Sequence, residues 1–83
     1  MTTPIPSALQ IMQDLAARRA SGSSIGETMG LIATAAEHGK VVLQATPDQR
    51  HLNPAGAVHG GFAATCLDGA AALALFTTLP LDA

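Results

Sequence analysis

The sequence predicts a small α+β domain, and three observations predict it. Apolar residues recur at helical spacing soon after Ser7. Two β-capable runs then flank a turn that contains Gly39. A nearly unbroken apolar run of helical length, residues 62–79, follows a Gly-rich loop. With 83 residues, the chain has room for one domain or part of one.

Residues 1–6 carry two prolines and read as a flexible lead-in. Ser7 is a plausible helix N-cap, and Leu9, Met12, Leu15 and Ala16 follow on one face, which predicts a helix over 7–20. Arg18 and Arg19 suit the negative end of its dipole. A hairpin is expected within 25–52, its strands at 29–36 and 41–46 around Glu37-His38-Gly39-Lys40. Ala35-Ala36 leaves helix open as an alternative for the first strand. Pro47 limits the second, and 48–51 should continue as a polar, partly exposed segment. Asn53-Pro54 and Gly56 mark a loop over 53–60. The run after it, a helix over 61–79 ended by Pro80, is apolar nearly all round, which predicts enclosure by other structure.

Composition excludes several function classes. Apolar residues make up 48% and charged residues 12%, the reverse of a disordered chain. Net charge is −2, and the basic residues form no cluster beyond Arg18-Arg19, so nucleic acid is not expected as a partner. Asp68, Thr65, Thr77 and Thr78 interrupt the 62–79 run, so no membrane span is expected. The N-terminus lacks a signal-peptide pattern, and the single Cys66 has no internal partner, which together predict a reducing, cytoplasmic setting. Cys66 reads as a small core residue, His38 as a solvated turn residue and His51 as a polar residue at a strand end, with approach to the site as its alternative. His, Cys66 and Asp68 show no metal-ligand spacing.

Two features carry chemistry. Gly60-Gly61 opens the apolar helix, where backbone N–H groups lack intrahelical partners and glycine lets a ligand come close; this suits an anion or oxyanion. Asp68 is a lone carboxylate in an apolar helix. It is a partly exposed structural residue, or one satisfied by a neighbouring hydroxyl such as Thr65, or a general base or nucleophile beside a cleft. Asp68 lies seven residues after Gly61, nearly on the same side and about 10 Å further along. A donor and a nucleophile serving one carbonyl sit within about 6 Å of each other. One helix does not allow that, whereas two antiparallel copies do. The spacing therefore predicts a two-fold dimer with shared sites.

The segment 51–70, HLNPAGAVHGGFAATCLDGA, resembles the signature of PaaI-type hotdog thioesterases: N-x-x-G-x-x-H-G-G with a carboxylate seven residues after the second glycine. Asn53, Gly56, His59, Gly60, Gly61 and Asp68 match it without a gap. The resemblance implies a hotdog fold, an antiparallel sheet wrapped around the long helix. It implies hydrolysis of an acyl-CoA thioester by a homodimer or a homotetramer built as a dimer of dimers; apart from the resemblance, the small residues at 70–72 leave room that predicts an aryl or medium-chain acyl group, as in phenylacetate-type degradation. Asp68 would be the nucleophile or the general base toward water. The Gly60 N–H would hold the thioester oxygen, Asn53 would position water or carbonyl, and His59 would orient the loop or polarise the carbonyl. Gly61, Gly56 and Phe62 would bind substrate, with Phe62, Leu67 and the alanines at 70–72 along one pocket wall. No metal or redox cofactor is implied; CoA is the leaving group. Family domains continue with further strands after the central helix, so the resemblance implies that 1–83 is one partial hotdog domain. A non-catalytic or truncated hotdog module that binds acyl groups or a partner is the alternative. A hotdog dehydratase, which needs a histidine base, is the third reading.

Overall fold

The computed structural model describes residues 6–80. The lead-in expected over 1–6 lies outside them except for Pro6. Helix α1 (Ala8–Arg18) and short helix α2 (Ser24–Met29) precede strands β1 (Leu31–Glu37) and β2 (Lys40–Ala45), and a one-turn 3-10 helix (Gln49–His51) leads to helix α3 (Gly60–Phe76). The class is α+β, with one two-stranded antiparallel sheet.

Ser7 caps α1 as its sequence implies. Its Oγ accepts the Gln10 N–H at 3.1 Å, and Gln10 Oε1 accepts the Ser7 N–H at 2.8 Å. The helix stops at Arg18, two residues short of the expected end. Arg19 turns left-handed there (φ 51°) and the Ala20 N–H reaches back to the Leu15 carbonyl at 2.9 Å. The Ala20 carbonyl in turn accepts the Ala33 N–H at 3.0 Å, tying the end of α1 to β1. Met12 and Ala8 are fully buried, and Leu9, Leu15 and Ala16 are half-buried.

The expected hairpin range 25–52 needs correction at both ends. Residues 24–29 are helical, because Ser23 Oγ caps the Gly26 N–H at 3.0 Å and Gly30, at φ 67°, ends the turn. Met29 and Gly30 therefore leave the strand, and β1 starts at Leu31. Ala35 and Ala36 are strand, paired with Val42 and Val41. Leu31 pairs with Ala45 and Glu37 with Lys40 around the two-residue turn His38-Gly39, with Gly39 at φ 78° and His38 exposed. The register shifts between Ala33 and Ala35, so Thr34 forms a bulge. After Ala45 the sheet ends ahead of Pro47, and 49–51 coil into the 3-10 turn rather than extending the strand.

Helix α3 begins one residue earlier than expected and ends three earlier. Thr77 and Thr78 close it, their hydroxyls donating to the Ala74 and Leu75 carbonyls at 2.7 Å each. Thr77 Oγ1 also accepts the Gly39 N–H at 2.7 Å, joining the hairpin tip to the end of α3. Thr77 is 3% exposed, so both bonds are partly shielded. Thr77→Val keeps the shape but strands the Gly39 N–H. Urea unfolding is expected to show a loss of about 1–3 kcal/mol, with Thr77→Ser losing less.

Enclosure of α3 is not what the described residues show. The helix packs on β2 and touches α1. Phe62 is its one buried side chain, and Leu67 and Leu75 are 72% and 63% exposed. Strand β2 covers one side of an all-round apolar helix, and Leu67 and Leu75 stay exposed. Among the described residues, no helix is long and apolar enough to cross a membrane.

Candidate active site

The loop before α3 is built by short-range bonds that its sequence dictates. Asp48 caps the 3-10 turn through the Arg50 N–H at 2.9 Å. The Arg50 guanidinium, bound to the same carboxylate at 2.8 Å, holds the Asp48 carboxyl at about 2, so it stays ionised at neutral pH. His51 Nδ1 accepts the Asp48 N–H at 2.9 Å. The His51 ring lies 4.5 Å from the Phe62 ring, centre to centre, and its side chain is 8% exposed. The reading of His51 as a strand-end polar residue is thus corrected: it anchors the loop on α3. Its carbonyl accepts the His59 N–H at 2.7 Å. A carboxylate three residues before a histidine, the capping-box spacing, was the available signal.

Asn53 organises the next turn. Its Oδ1 accepts the Ala55 and Ala57 N–H groups at 3.0 and 3.1 Å, and its backbone carbonyl accepts the Gly56 N–H at 2.9 Å. Gly56 sits at φ 82°, a conformation that favours glycine. With Oδ1 engaged in the loop, the Asn53 NH2 group is what remains to meet a ligand.

His59 is the N-cap of α3. Its Nδ1 accepts the Gly61 N–H at 2.8 Å, which places the proton of the neutral ring on Nε2. The Phe62 N–H donates to the His59 carbonyl at 2.9 Å. Of the first three amides of α3, that leaves the Gly60 N–H without a partner among the described residues, at the positive end of a 17-residue helix. The two glycines differ. A Cβ on Gly61 would stand 3.0 Å from His59 Nδ1, whereas one on Gly60 would meet nothing within 4 Å.

Two concavities flank this helix, each about 280 Å³. The first gathers His51, His59, Gly61 and Phe62 beside Arg50. The second is apolar and lies between α3, the sheet and the start of α2, with Asp68 and Gly69 on its α3 side and Leu31, Ala33 and Leu43 opposite. Thr65 borders both, its hydroxyl donating to the Gly61 carbonyl at 2.8 Å. The sequence expectations therefore divide. His59, Gly61 and Phe62 come together, Asn53 and Gly56 hold the loop behind them, and Asp68 belongs to the neighbouring cavity. Of the expected wall residues, Ala72 lines that cavity, Phe62 lines the other one, and Leu67 points to solvent.

Asp68 is exposed and makes no hydrogen bond or ion pair among the described residues; Thr65 does not satisfy it. It follows Gly60 by eight residues, about 12 Å along the helix. Cys66 is half-buried. Among the described residues, no three His, Cys, Asp or Glu side chains converge as a metal site would require. Comparison with protein-family models, curated proteins and solved structures finds no match to this chain.

Proposed function

We propose that this chain carries the catalytic helix of a PaaI-type hotdog thioesterase that hydrolyses an aryl- or medium-chain acyl-CoA to the free acid and CoA. One observation carries the reading: among the described residues, α3 presents an unpartnered Gly60 N–H at its start and an unpaired Asp68 at an apolar cavity two turns on. In the reaction, Asp68 takes a proton from water as the water oxygen bonds to the thioester carbonyl carbon. The charge that forms on the carbonyl oxygen meets the Gly60 N–H and the helix dipole. Collapse breaks the C–S bond, and the proton on Asp68 passes to the departing CoA sulfur. Asn53 contributes its NH2 group to positioning, and His59 keeps Gly61 and the loop in register. No metal or redox cofactor enters this scheme.

The distance of about 12 Å between Gly60 and Asp68 favours a site shared by two antiparallel copies, as a homodimer or a dimer of dimers. A chain that stayed monomeric would hold half of each site and would fit the second reading, a module that binds acyl groups without hydrolysing them. The dehydratase reading is weaker. The His59 Nδ1 lone pair is engaged and Nε2 carries the proton, so the ring lacks a free base.

The test is release of free thiol from octanoyl-CoA and phenylacetyl-CoA by the purified chain. Stoichiometric thiol and carboxylic acid are expected, and no release from either compound overturns the proposal.

A further inference from the structure

Gly69 lies in the interior of α3, where glycine costs about 1 kcal/mol relative to alanine. Two ordinary reasons for a helical glycine are missing here. Its φ is not in the left-handed range, and a Cβ added to it would meet nothing within 4 Å. Neither backbone geometry nor close packing within the chain explains it. The space it leaves open belongs to the apolar cavity of about 280 Å³. Leu31 and Ala33 are the buried side chains of the cavity, Leu43 and Leu73 extend it, and Asp68 and Thr65 are next to Gly69 on the same helix. Asp68 is the one charged side chain in the lining, and no aromatic ring contributes to it.

We infer that Gly69 sets the depth of a binding cavity for an unbranched aliphatic acyl chain, whose carbonyl end faces Thr65 and Asp68. A cavity of about 150 Å³ lined by leucine, isoleucine and phenylalanine holds benzene, so this one, at about 280 Å³, has room for about eight carbons with its mouth left open. Aliphatic walls suit a flexible methylene chain, and the unpaired Asp68 carboxylate disfavours a free fatty acid over a neutral thioester. The inference rests on the thioesterase reading for the headgroup that the chain carries, and binding, not turnover, tests it.

The probes are two non-hydrolysable thioethers, S-octyl-CoA and S-ethyl-CoA, titrated calorimetrically into the whole chain and into Gly69→Ala and Gly69→Leu. Both replacements favour helix over glycine, so the fold is retained. The wild-type chain is expected to bind the octyl compound more tightly than the ethyl one. Gly69→Leu, which fills the cavity, should weaken octyl binding about tenfold and leave ethyl binding unchanged; Gly69→Ala should fall between. Sedimentation should show the same oligomeric state for all three proteins. Equal affinity for the two thioethers, equal loss on both in Gly69→Leu, or tighter binding of a phenylethyl thioether overturns the inference. A change of oligomeric state in Gly69→Leu also overturns it, because the glycine would then make room for a second copy. If octanoyl-CoA is not hydrolysed while the octyl pattern holds, hydrolysis fails and the acyl-chain cavity stands.

Discussion

Asp68→Asn is expected to lower kcat for octanoyl-CoA about a thousandfold, the middle of the range a positioned general base supplies. The amide has nearly the shape of the carboxylate but cannot take a proton from water. Because Asp68 is exposed and makes no bond within the described chain, the substitution should leave stability within about 0.5 kcal/mol of wild type. Thiol release measured beside urea unfolding separates the two quantities. KM should change little, since the thioester is neutral and the proton moves only in the transition state. A variant that keeps its activity removes Asp68 from the chemistry. A variant that unfolds gives it the structural role.

Gly60→Ala is expected to lower kcat/KM about a hundredfold while leaving the fold intact. The added methyl meets nothing within 4 Å in the chain, and alanine favours helix. In the proposed reaction it would stand where the thioester oxygen approaches the Gly60 N–H, and a displacement of about 1 Å there costs about that factor. Gly61→Ala is the instructive contrast. Its methyl falls 3.0 Å from His59 Nδ1 and pushes on the capping ring, so this variant should lose stability as well as activity. Equal behaviour of the two variants in unfolding would refute the separate roles given to the two glycines.

Local chemistry made much of the chain legible in its sequence. Ser7 and Gln10 announce the start of α1, Gly39 announces the hairpin turn, and His59-Gly60-Gly61 announces the start of α3, because each acts through bonds that span a few residues. Helix α2 was hidden because six residues are too few for a periodic pattern, although Ser23 and Gly30 bracket it with a cap and a stop. The burial of His51 is not legible locally, because it depends on Phe62, eleven residues away, reached only when the loop folds back. The open side of α3 is hidden in the sequence for a related reason. An apolar pattern says that a helix wants cover, not where the cover comes from. The residues of the site were legible as a motif. That Asp68 lines one concavity while His59, Gly61 and Phe62 line another, with Thr65 bordering both, needed the third dimension.

In the proposed thioester-hydrolysing site, a donor from one copy and a carboxylate from another act together. Co-expression of Gly60→Ala with Asp68→Asn tests it most directly. In a dimer with shared sites, half of the random pairs are mixed, and each mixed pair holds one site with both groups intact. Thiol release from octanoyl-CoA should therefore recover to about a quarter of the wild-type rate. A mixture no more active than the mean of its two parents would contradict the shared site.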